Sequence, residues 1–552
     1  MDGIINIAAV LPRMAQQQPD VAAIHYPTGR GVDGRRVYHS WSYRQLDEAS
    51  SRIARGLEKV GIGRGVRTVL MVPPSLEFFA LTFGMFKAGV VPVVVDPGIG
   101  IKNLGVCLAE AQPQAFVGIT KAHVARILFG WGKATLEKFV TVGRRLLWRG
   151  HTLEEVKRLA GDDPQWSMAS TSSEDVAAIL FTSGSTGVPK GVVYTHGNFV
   201  TQVDAIKEMY DIRPGEVDLP TFPMFGLFDP AMGMTTVIPD MDFTRPAAVD
   251  PAMIEEAVRR FGVTTMFGSP ALLDTVGRYG EAHGSRLPGL KRVISAGAPV
   301  PASVMRKMVA MLDDDAQVVT PYGATESLPV ATISSRVVLV ETGAKTDAGA
   351  GTCVGHPVRQ TEVCIIRIDD APLATFSPDL TLPCGEIGEI CVKGPVVTRS
   401  YFNRDQSTAL AKLQDPAGGF WHRMGDLGYL DEQGRIWFCG RKSHRVITAN
   451  GTLYTEPVEG VFNVHPQVKR TALAGVPAGP AQQRPVLCVE LEPDCPSTSH
   501  QAVLAALREI AGKHAHTRAI DSFLIHPGFP VDIRHNAKID RTALGHWAQG
   551  KL

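Results

Sequence analysis

Short apolar runs alternate with segments of helical periodicity along most of the chain. Residues 68–72 (TVLMV) predict a buried strand, residues 76–87 (LEFFALTFGMFK) a helix, and residues 90–95 (VVPVVV) the next strand. This order predicts a parallel sheet covered by helices. Four later runs predict further strands, each ending in a loop rich in Gly, Pro or Ser: residues 177–181, 264–267, 292–295 and 317–320. In open α/β sheets, ligands gather at such strand ends.

The pattern becomes richer in strands from Gly385 onward. After Gly440 and Arg441, strands are predicted near residues 470–475 and 486–491, with a helix over 501–512. We therefore predict an α/β fold with two domains. Residues 1–440 would form a large, multi-sheet N-terminal domain with helix-covered parallel sheets, and residues 441–552 a smaller α+β C-terminal domain.

Length and composition fit a soluble globular protein of two or more domains and exclude several other classes. The chain has 552 residues, 44% of them hydrophobic and 20% charged, with a formal net charge of +1. Such a balance argues against binding to nucleic acid, which normally needs a basic excess. The eight cysteines include no CxxC pair, so we expect reduced thiols in a cytoplasmic protein. No secretory signal and no uninterrupted apolar run of membrane-spanning length is recognised.

Residues 121–150 differ from the rest of the chain. They hold seven Lys or Arg against one Glu, interleaved with Phe129, Trp131, Phe139 and Trp148. A solvated amphipathic helix and loop would explain this composition. A surface for a partner enzyme or an anionic membrane would explain it as well.

The strongest chemical signal directly follows the strand predicted over 177–181. Hydroxyl side chains and glycines alternate there before a Pro-Lys-Gly ending, so backbone N–H and side-chain O–H groups can converge on phosphate oxygens. The loop lacks the Gly-Lys-Ser/Thr ending of a Walker A motif. A flexible linker explains neither the preceding strand nor the Pro-Lys-Gly ending. The candidate phosphate-binding residues are Thr182, Ser183, Gly184, Ser185, Thr186, Gly187 and Lys190.

This loop resembles the signature of the adenylate-forming superfamily, which contains acyl-CoA synthetases, luciferases and nonribosomal adenylation domains. Further motifs of that superfamily occur in the same order across nearly the whole chain. Gly297, Ala298 and Pro299 resemble its adenine-side loop, and Trp421 to Asp426 resemble its YRTGD motif. The YGxTE motif is matched by Tyr322, Gly323, Ala324, Thr325 and Glu326.

The resemblance implies a role for each matching residue. Tyr322 would stack on adenine, Thr325 would contact the α-phosphate, and Glu326 would help to hold Mg²⁺. Asp426 and Arg441 would bind the ribose, with a hinge near Arg441–Ser443 about which the C-terminal domain moves. Lys538, after Asn536 and Ala537, would supply the adenylation lysine. ATP and Mg²⁺ are the implied cofactors, and the implied catalytic residues are Lys190, Thr325, Glu326 and Lys538.

These residue types suit the attack of a carboxylate on the α-phosphorus of ATP. Both reactants are anionic, so their repulsion must be cancelled. Lys190, Lys538, Mg²⁺ and the loop donors would do this and would stabilise the leaving pyrophosphate. No covalent enzyme nucleophile is required.

The residues that serve thioester formation in acyl-CoA ligases are changed in this chain. Ser443 stands where such ligases commonly have Asp or Lys. Ile447 stands where many of them have Lys. Asn450 occupies a usual Gly position, and Ala537 replaces the Gly before the adenylation lysine. The adenylation half of the site is therefore intact, while the thioester half is altered.

These departures resemble one subgroup, the β-lactone synthetases of bacterial long-chain olefin synthesis. The matching stretches are residues 219–223, 227–230, 237–242, 267–272 and 529–539. The resemblance implies a long-chain 2-alkyl-3-hydroxy acid substrate whose own hydroxyl attacks the activated carbonyl. Residues 222–229 and 267–272 would line the acyl pocket.

Two other functions remain open from the sequence, namely a long-chain acyl-CoA ligase and a non-catalytic acyl or nucleotide sensor. A CoA-dependent product would indicate the ligase. The residue that takes the hydroxyl proton is also open, since His422, His444 and His535 all qualify by residue type.

Overall fold

The computed structural model describes residues 5–32, 34–182, 189–531 and 538–552. The first nine strands of this described part are β1 (Ala22–Arg30), β2 (Arg36–Ser42), β3 (Arg67–Met71), β4 (Val91–Val94), β5 (Ala115–Ile119), β6 (Lys138–Val142), β7 (His151–Thr152), β8 (Val176–Phe181) and β9 (Gly191–Thr195).

The next strands are β10 (Val217–Pro220), β11 (Thr235–Val237), β12 (Thr265–Phe267), β13 (Arg292–Ile294), β14 (Gln317–Ala324), β15 (Ser327–Ser334), β16 (Thr352–Pro357), β17 (Glu362–Ile366), β18 (Gly388–Lys393), β19 (Lys412–Gln414), β20 (Phe420–Leu430) and β21 (Ile436–Arg441). The C-terminal strands are β22 (Val446–Thr448), β23 (Gly451–Leu453), β24 (Val468–Gly479), β25 (Gln482–Leu491) and β26 (Ser522–Ile525).

The helices of the described residues are α1 (Val10–Gln17), α2 (Tyr43–Lys59), α3 (Leu76–Lys87), α4 (Ile101–Ala111), α5 (Thr120–Leu128), α6 (Leu153–Leu159), α7 (His196–Tyr210), α8 (Asp229–Met232), α9 (Pro251–Phe261), α10 (Pro270–His283), α11 (Ala302–Met311), α12 (Ser335–Val337), α13 (Gly343–Asp347), α14 (Asp405–Ala411), α15 (Thr455–Phe462), α16 (His500–Lys513) and α17 (Arg541–Gln549). A π-helical stretch, Val338–Thr342, joins α12 to α13. None of these helices combines the length and the apolarity that a bilayer crossing needs.

One sheet of the described chain is mostly parallel, with the strand order β7-β6-β5-β3-β4-β8-β9. Its neighbouring strands are parallel except for the β8–β9 pair, which is antiparallel. Every residue of α3 except Glu77 is buried, and its apolar residues share a core cluster with this sheet and with residues near β1 and β11. That cluster therefore lies between two sheets, which explains why α3 is apolar all round.

A larger sheet follows the order β17-β18-β20-β21-β16-β15-β14-β13-β12-β10-β11-β1-β2 among the described strands. Its strands are parallel from β14 to β1 and antiparallel elsewhere. The predicted helix-covered parallel sheets are confirmed. Strands β18 to β21 of the antiparallel part correspond to the strand-rich pattern after Gly385, whereas β15, β16 and β17 precede it. The parallel strand ends and the β20–β21 pair bring together the segments that carry the candidate motifs.

The C-terminal segment has its own cores, as the α+β prediction requires. Strands β24, β25 and β26 form one sheet, and β22 pairs with β23. Apolar residues of α15, α16 and this sheet form a cluster that begins at Val446. Arg441 still belongs to the large sheet, where it pairs with Asp426.

Close backbone approach joins α15 to α13. A Cβ added at Gly460 of α15 would lie 2.5 Å from the Thr346 carbonyl oxygen. The Thr352 hydroxyl also donates to Glu456 Oε2 at 2.8 Å. The C-terminal segment therefore packs directly against the preceding sheet and helix in this arrangement.

Candidate functional site

The two ends of the predicted phosphate loop are joined by strand pairing and hydrogen bonds. Phe181 pairs with Gly191 across the antiparallel β8–β9 strands. Thr182 N donates to the Lys190 carbonyl at 3.0 Å, and Lys190 N donates to Thr182 Oγ1 at 3.1 Å. The other candidates, Ser183, Gly184, Ser185, Thr186 and Gly187, lie outside the described residues. Lys190 is thus held at a sheet edge, immediately after the loop.

Tyr401 connects Lys190 to the predicted metal-binding carboxylate. Its hydroxyl donates to Glu326 Oε1 at 2.6 Å, and the Lys190 ammonium lies 4.9 Å from the centre of its ring. The backbone next to Tyr401 lies alongside β9, since Val193 N donates to the Ser400 carbonyl at 3.1 Å. Burial and the adjacent Glu326 raise the pKa of Tyr401, so its hydroxyl stays a donor.

The backbone of the YGxTE segment is held by donors from two other segments. Thr398 N and Oγ1 both donate to the Glu326 carbonyl, at 2.9 and 3.0 Å. The Tyr194 hydroxyl donates to the Thr325 carbonyl. Gly323 cannot carry a side chain here, because a Cβ would lie 2.5 Å from the Ser327 carbonyl oxygen. This tight β14–β15 connection fixes the backbone positions of Thr325 and Glu326.

A second hydrogen-bonded group consists of Tyr322, Asp426 and Arg441. The Tyr322 hydroxyl donates to Asp426 Oδ2 at 2.7 Å, and Arg441 Nη1 donates to Oδ1 at 2.6 Å. Asp426 is buried and pairs with Arg441 across β20 and β21. Burial and the neighbouring carboxylate raise the pKa of Tyr322, and the Asp426 charge raises that of Arg441. Three residues taken from separate motifs therefore meet at one carboxylate.

The loop of Gly297, Ala298 and Pro299 lies beside the strand that carries Tyr322. Strand β13 pairs in parallel with β14 up to Ile294 and Val319, and Ser295 N donates to the Val319 carbonyl at 3.0 Å. Gly297 has a φ of 95°, a conformation that favours glycine. The loop therefore follows the carboxyl end of β13, at the edge where β14 continues to Tyr322.

Lys412 and His422 form a buried basic pair close to Glu326. Burial lowers the pKa of Lys412 to about 7, an effect that the Glu326 charge opposes. Its ammonium donates to the Thr398 carbonyl. Burial, and then the Lys412 charge, lower the pKa of His422 well below its usual value. His422 Nδ1 lies 3.2 Å from the Ala411 carbonyl oxygen, which only accepts, so Nδ1 carries the proton.

His444 lies in the segment that follows the large sheet. Burial lowers its pKa to about 4, helped by the charges of Arg541 and Arg441. Like His422, it is therefore neutral at pH 7, the form that a general base needs. The third candidate base, His535, lies outside the described residues.

The predicted hinge segment is ion-paired to β18 of the large sheet and to the loop that follows β17. Lys442 Nζ lies 3.0 Å from Glu389 Oε2, and Arg445 Nη2 lies 2.5 Å from Asp370 Oδ2. Ser443 lies in the short 3-10 helix Lys442–His444 between these pairs. Ile447 is exposed on β22, and Asn450 lies in the turn before β23. Of the substituted thioester positions, Ser443 therefore lies within this ion-paired segment, and Ile447 and Asn450 follow it directly.

Lys538 lies between β26 and α17. Val531 and Ile539 form an antiparallel bridge, and Asp540 Oδ1 caps α17 by accepting from Ala543 N at 3.0 Å. Asn536 and Ala537 of the same motif lie outside the described residues. The role of Lys538 in the site stays a prediction.

The two predicted acyl-pocket stretches contact each other. The rings of Phe225 and Phe267 have centres 4.3 Å apart, and those of Phe222 and Phe225 are 5.3 Å apart. The Thr221 hydroxyl donates to the Phe267 carbonyl at 2.7 Å. An aromatic cluster therefore covers the carboxyl ends of β10 and β12.

A buried carboxyl pair lies next to this aromatic cluster. Asp218 on β10 and Asp229 at the start of α8 are both buried, and Asp229 Oδ2 accepts from the Thr236 hydroxyl at 2.9 Å. Burial raises the pKa of Asp218 to about 7. Burial and the Asp218 charge raise that of Asp229 well above its usual value. The pair therefore holds a proton at neutral pH.

Sequence reasoning missed Tyr401, Lys412 and Asp218. Each has its role only through contacts with residues that are distant in sequence or lie on another strand. For Tyr401, the available signal was its position in the run 394–401, within the strand-rich pattern that begins at Gly385.

Comparison with known proteins agrees with this fold. The chain belongs to the AMP-binding enzyme family, whose model matches residues 11–402. The resemblance to adenylate-forming enzymes is thereby confirmed.

Two relatives and one solved structure show the range of similarity. The chain is 55% identical over 553 residues to the olefin beta-lactone synthetase of Xanthomonas campestris pv. campestris, covering 99% of this chain and 98% of that protein. It is 29% identical over 486 residues to the 2-succinylbenzoate–CoA ligase of Geobacillus kaustophilus, covering 87% of this chain and 88% of that protein. The crystal structure of ATP-bound MatB from Rhodopseudomonas palustris matches with a TM-score of 0.75 at 20% identity, covering 99% of both chains.

Proposed function

We propose that this enzyme converts long-chain 2-alkyl-3-hydroxy acids to β-lactones through an acyl-adenylate, releasing pyrophosphate and AMP. The observation that carries the proposal is the 55% identity to an olefin beta-lactone synthetase over 99% of the chain. The CoA ligase compared above is only 29% identical. The altered positions Ser443, Ile447 and Asn450 support the same choice.

ATP is proposed to bind across the two groups described above. The loop from Thr182 to Lys190 would contact the phosphates, while Asp426 and Arg441 would hold the ribose. Adenine would lie between Tyr322 and the Gly297 loop, with Gly323 and Ala324 beside it. Thr325 would contact the α-phosphate. The support is that Lys190, Tyr401 and Glu326 form one connected group and Tyr322, Asp426 and Arg441 form another.

The residues present suit a magnesium ion that travels with ATP. Among the described residues, no three His, Cys, Asp or Glu side chains form a metal-binding group. Mg²⁺ commonly binds through one or two carboxylates together with substrate phosphates and water. Glu326 supplies such a carboxylate, already oriented by Tyr401. When bound, the ion would neutralise phosphate charge, and Lys190 and Lys538 would add to this effect.

The second step would close the ring inside the bound intermediate. The β-hydroxyl oxygen forms a bond to the acyl carbon, the acyl–phosphate C–O bond breaks, and AMP leaves with that electron pair. The hydroxyl proton passes to a base, for which the neutral His422 and His444 are candidates. No second substrate enters, which suits the altered thioester positions. An aligned internal nucleophile can have an effective concentration of about 10⁵ M or more.

Three further features belong to the same proposal. Residues 1–440 and 441–552 would be separate domains with a hinge near Arg441–Ser443, and movement of the second would enclose the intermediate. The aromatic residues of 222–229 and 267–272 would pack against the alkyl chains. Residues 121–150 would form a surface for a pathway enzyme or a membrane.

Product analysis tests this proposal. The purified enzyme is incubated with ATP, Mg²⁺ and a synthetic 2-alkyl-3-hydroxy acid, with and without CoA, and products are identified by mass spectrometry. We expect lactone, AMP and pyrophosphate, unchanged by CoA. A matched acid that lacks the hydroxyl should stop at the bound adenylate.

Two results would overturn the proposal. Acyl-CoA as the main product would establish the ligase function instead. Absence of pyrophosphate release with every acid would favour a non-catalytic sensor.

A further inference from the structure

Large apolar side chains are exposed beside the basic residues of segment 121–150. Leu128 at the end of α5 is 73% exposed, and Leu147 in the loop after β6 is fully exposed. Single exposed apolar residues are ordinary, but a group of them marks an interaction site. The exposed members on α4, α5 and the loop are Ile101, Val106, Val124, Ile127, Leu128, Phe129, Leu146 and Leu147.

Contacts beneath these residues join the three segments into one surface. The Phe129 ring stacks on Trp131 with centres 5.5 Å apart, and a Cβ added at Gly105 of α4 would lie 3.4 Å from the Trp131 ring. The Trp148 ring stacks on His123 of α5 at 5.2 Å. We call the exposed face of α4, α5, residues 129–133 and residues 143–149 the α5 surface.

The aromatic residues of segment 121–150 pack mainly below the α5 surface. Trp131 and Phe139 are buried, and the Arg126 and Arg149 guanidinium groups lie 4.3 and 5.4 Å from the Phe139 ring centre. The ring contacts therefore fix these two arginines at the surface. The residues left to meet a partner are mostly aliphatic.

The charge around the α5 surface is strongly one-sided. Residues 121–150 contain seven Lys or Arg and one Glu, although the whole chain has a net charge of +1. Lys121, Lys133 and Arg144 are exposed. A surface with aliphatic side chains among basic groups complements an anionic bilayer, because apolar groups enter the acyl boundary while cations contact lipid phosphates.

We propose that the α5 surface docks this enzyme on an anionic lipid bilayer. A fluid bilayer accommodates a protruding side chain such as Leu147 without a preformed pocket. The biological purpose rests on the proposed function, since a substrate with two long alkyl chains partitions into membranes. The docking itself requires neither ATP nor substrate, so it can be measured apart from catalysis.

Vesicle flotation of the full-length enzyme tests the docking. One set of vesicles contains phosphatidylcholine alone, and the other contains phosphatidylglycerol in addition. We expect binding to the anionic vesicles that weakens as salt increases. The apolar variant is Leu128→Asn with Leu147→Asn, and the charge variant is Lys121→Glu, Lys133→Glu and Arg144→Glu. Arg145 and Arg149 are left intact, because they contact the Gly150 carbonyl and the Phe139 ring.

Both variants should lose affinity for anionic vesicles, the charge variant by on the order of a hundredfold for three lost basic contacts. Val340→Asn removes an apolar side chain that is 88% exposed on the π-helical stretch, and it should bind as the wild type does. Turnover of a soluble, short-chain hydroxy acid should be unchanged in all variants.

Several outcomes would overturn the docking proposal. They are absence of binding to anionic vesicles, equal binding by wild type and both variants, or capture of a protein partner through this surface without vesicle binding. Failure to form lactone, with vesicle binding intact, would instead count against the proposed function.

Discussion

Tyr401 is the residue through which a cation, a carboxylate and the base of the phosphate loop are connected. Its hydroxyl binds Glu326, and its ring lies beside the Lys190 ammonium. These two contacts use different parts of one side chain, so substitutions can separate them. The hydroxyl orients the carboxylate proposed to hold Mg²⁺, while the ring packs beside the lysine proposed to contact phosphate.

Tyr401→Phe should weaken the use of Mg²⁺ while leaving the ring contact in place. A hydrogen bond to a charged group contributes about 1.5–3 kcal/mol, so the Mg²⁺ concentration for half-maximal pyrophosphate release should rise on the order of tenfold. Glu326→Gln should raise this Mg²⁺ concentration further. Both substitutions should have less effect on the concentration of acid substrate that the reaction requires. Tyr401→Leu, which also removes the ring, should raise the KM for ATP as well. An unchanged Mg²⁺ titration for Tyr401→Phe would show that its hydroxyl does not orient the metal site.

Lys538→Ala should abolish most adenylation without unfolding the protein. Removing one contact to developing charge commonly lowers the rate by on the order of 10²–10³. Lys538 follows the last strand and precedes α17, so little core packing depends on it. Pyrophosphate release and the melting temperature should be measured together. Near-normal release would assign the adenylation lysine elsewhere, whereas a large fall in melting temperature would indicate a structural role.

Among the elements, β10 and α8 are joined by a carboxyl pair instead of by apolar packing alone. Asp218 belongs to β10 and Asp229 begins α8, next to the aromatic cluster of Phe222, Phe225 and Phe267. Among the described residues, Asp218 Oδ1 has no hydrogen-bond partner. The protonation state of this pair therefore affects how firmly the proposed acyl-pocket loop is held.

Asp218→Asn should stabilise the protein more at pH 7.5 than at pH 4.5. The folded-state pKa of Asp218 is about 7, against about 3.9 for an unfolded Asp. Between these values the folded state binds more protons than the unfolded state, so wild-type stability falls as pH rises from about 4 to about 7. Asparagine removes this titration and can donate to Asp229. The difference in melting temperature, variant minus wild type, should therefore increase with pH.

Asp204→Asn provides the control for this pH series, because Asp204 is exposed on α7. Its melting temperature should follow that of the wild type throughout. A constant difference for Asp218→Asn across the pH range would show that the carboxyl pair does not titrate in this interval.

Local patterns predicted the elements whose residues are uniformly buried or regularly periodic. The helix predicted over residues 76–87 is α3, and the predicted strands correspond to β3, β4, β8, β12 and β13 within a residue or two. Strand β14 extends beyond its predicted end to Ala324 because β15 follows directly and pairs with it as a hairpin. The loop-like composition of residues 321–326 (PYGATE) did not indicate this extension.

The candidate site was predictable only where its residues belong to motifs. Tyr322, Asp426 and Arg441 were identified in this way, and the structure brings them together. Tyr401 and Asp218 were not identified, because their partners are set by strand pairing and by burial. The aromatic count in residues 121–150 could not distinguish the buried Trp131 and Phe139 from the exposed Phe129.

At the scale of the whole molecule, the C-terminal segment is held in place by very close packing at α15. The hydrogen-bonded Glu456 and the closely packed Gly460 lie on this helix. Only glycine allows the approach of α15 to the backbone of α13, because any Cβ at position 460 would meet the Thr346 carbonyl oxygen.

Gly460→Ala should separate the C-terminal segment from α13 without disrupting its own core. The added methyl would meet a backbone oxygen at 2.5 Å, so either the helix or the domain must shift. Hydrogen exchange of the amides in α13 should become faster. Gly512→Ala is the matched control, because Gly512 lies on α16 with open space around it. There the substitution should stabilise the helix, by up to about 1 kcal/mol. Equal exchange in both variants would show that the α13 contact does not hold the segment.

The ion pair between Asp426 and Arg441 has a thermodynamic consequence for the proposed cycle. Both oxygens of Asp426 are already engaged, and Arg441 is the last residue of the large sheet before the C-terminal segment. A ribose that binds Asp426 would compete with or rearrange the contact at that point. Nucleotide occupancy and domain arrangement would then be linked, and linkage is reciprocal. Any factor by which AMP changes the balance of arrangements must equal the factor by which the arrangement changes AMP affinity. Release of AMP and movement of the domain would accordingly share a single free energy of coupling, measurable from either side.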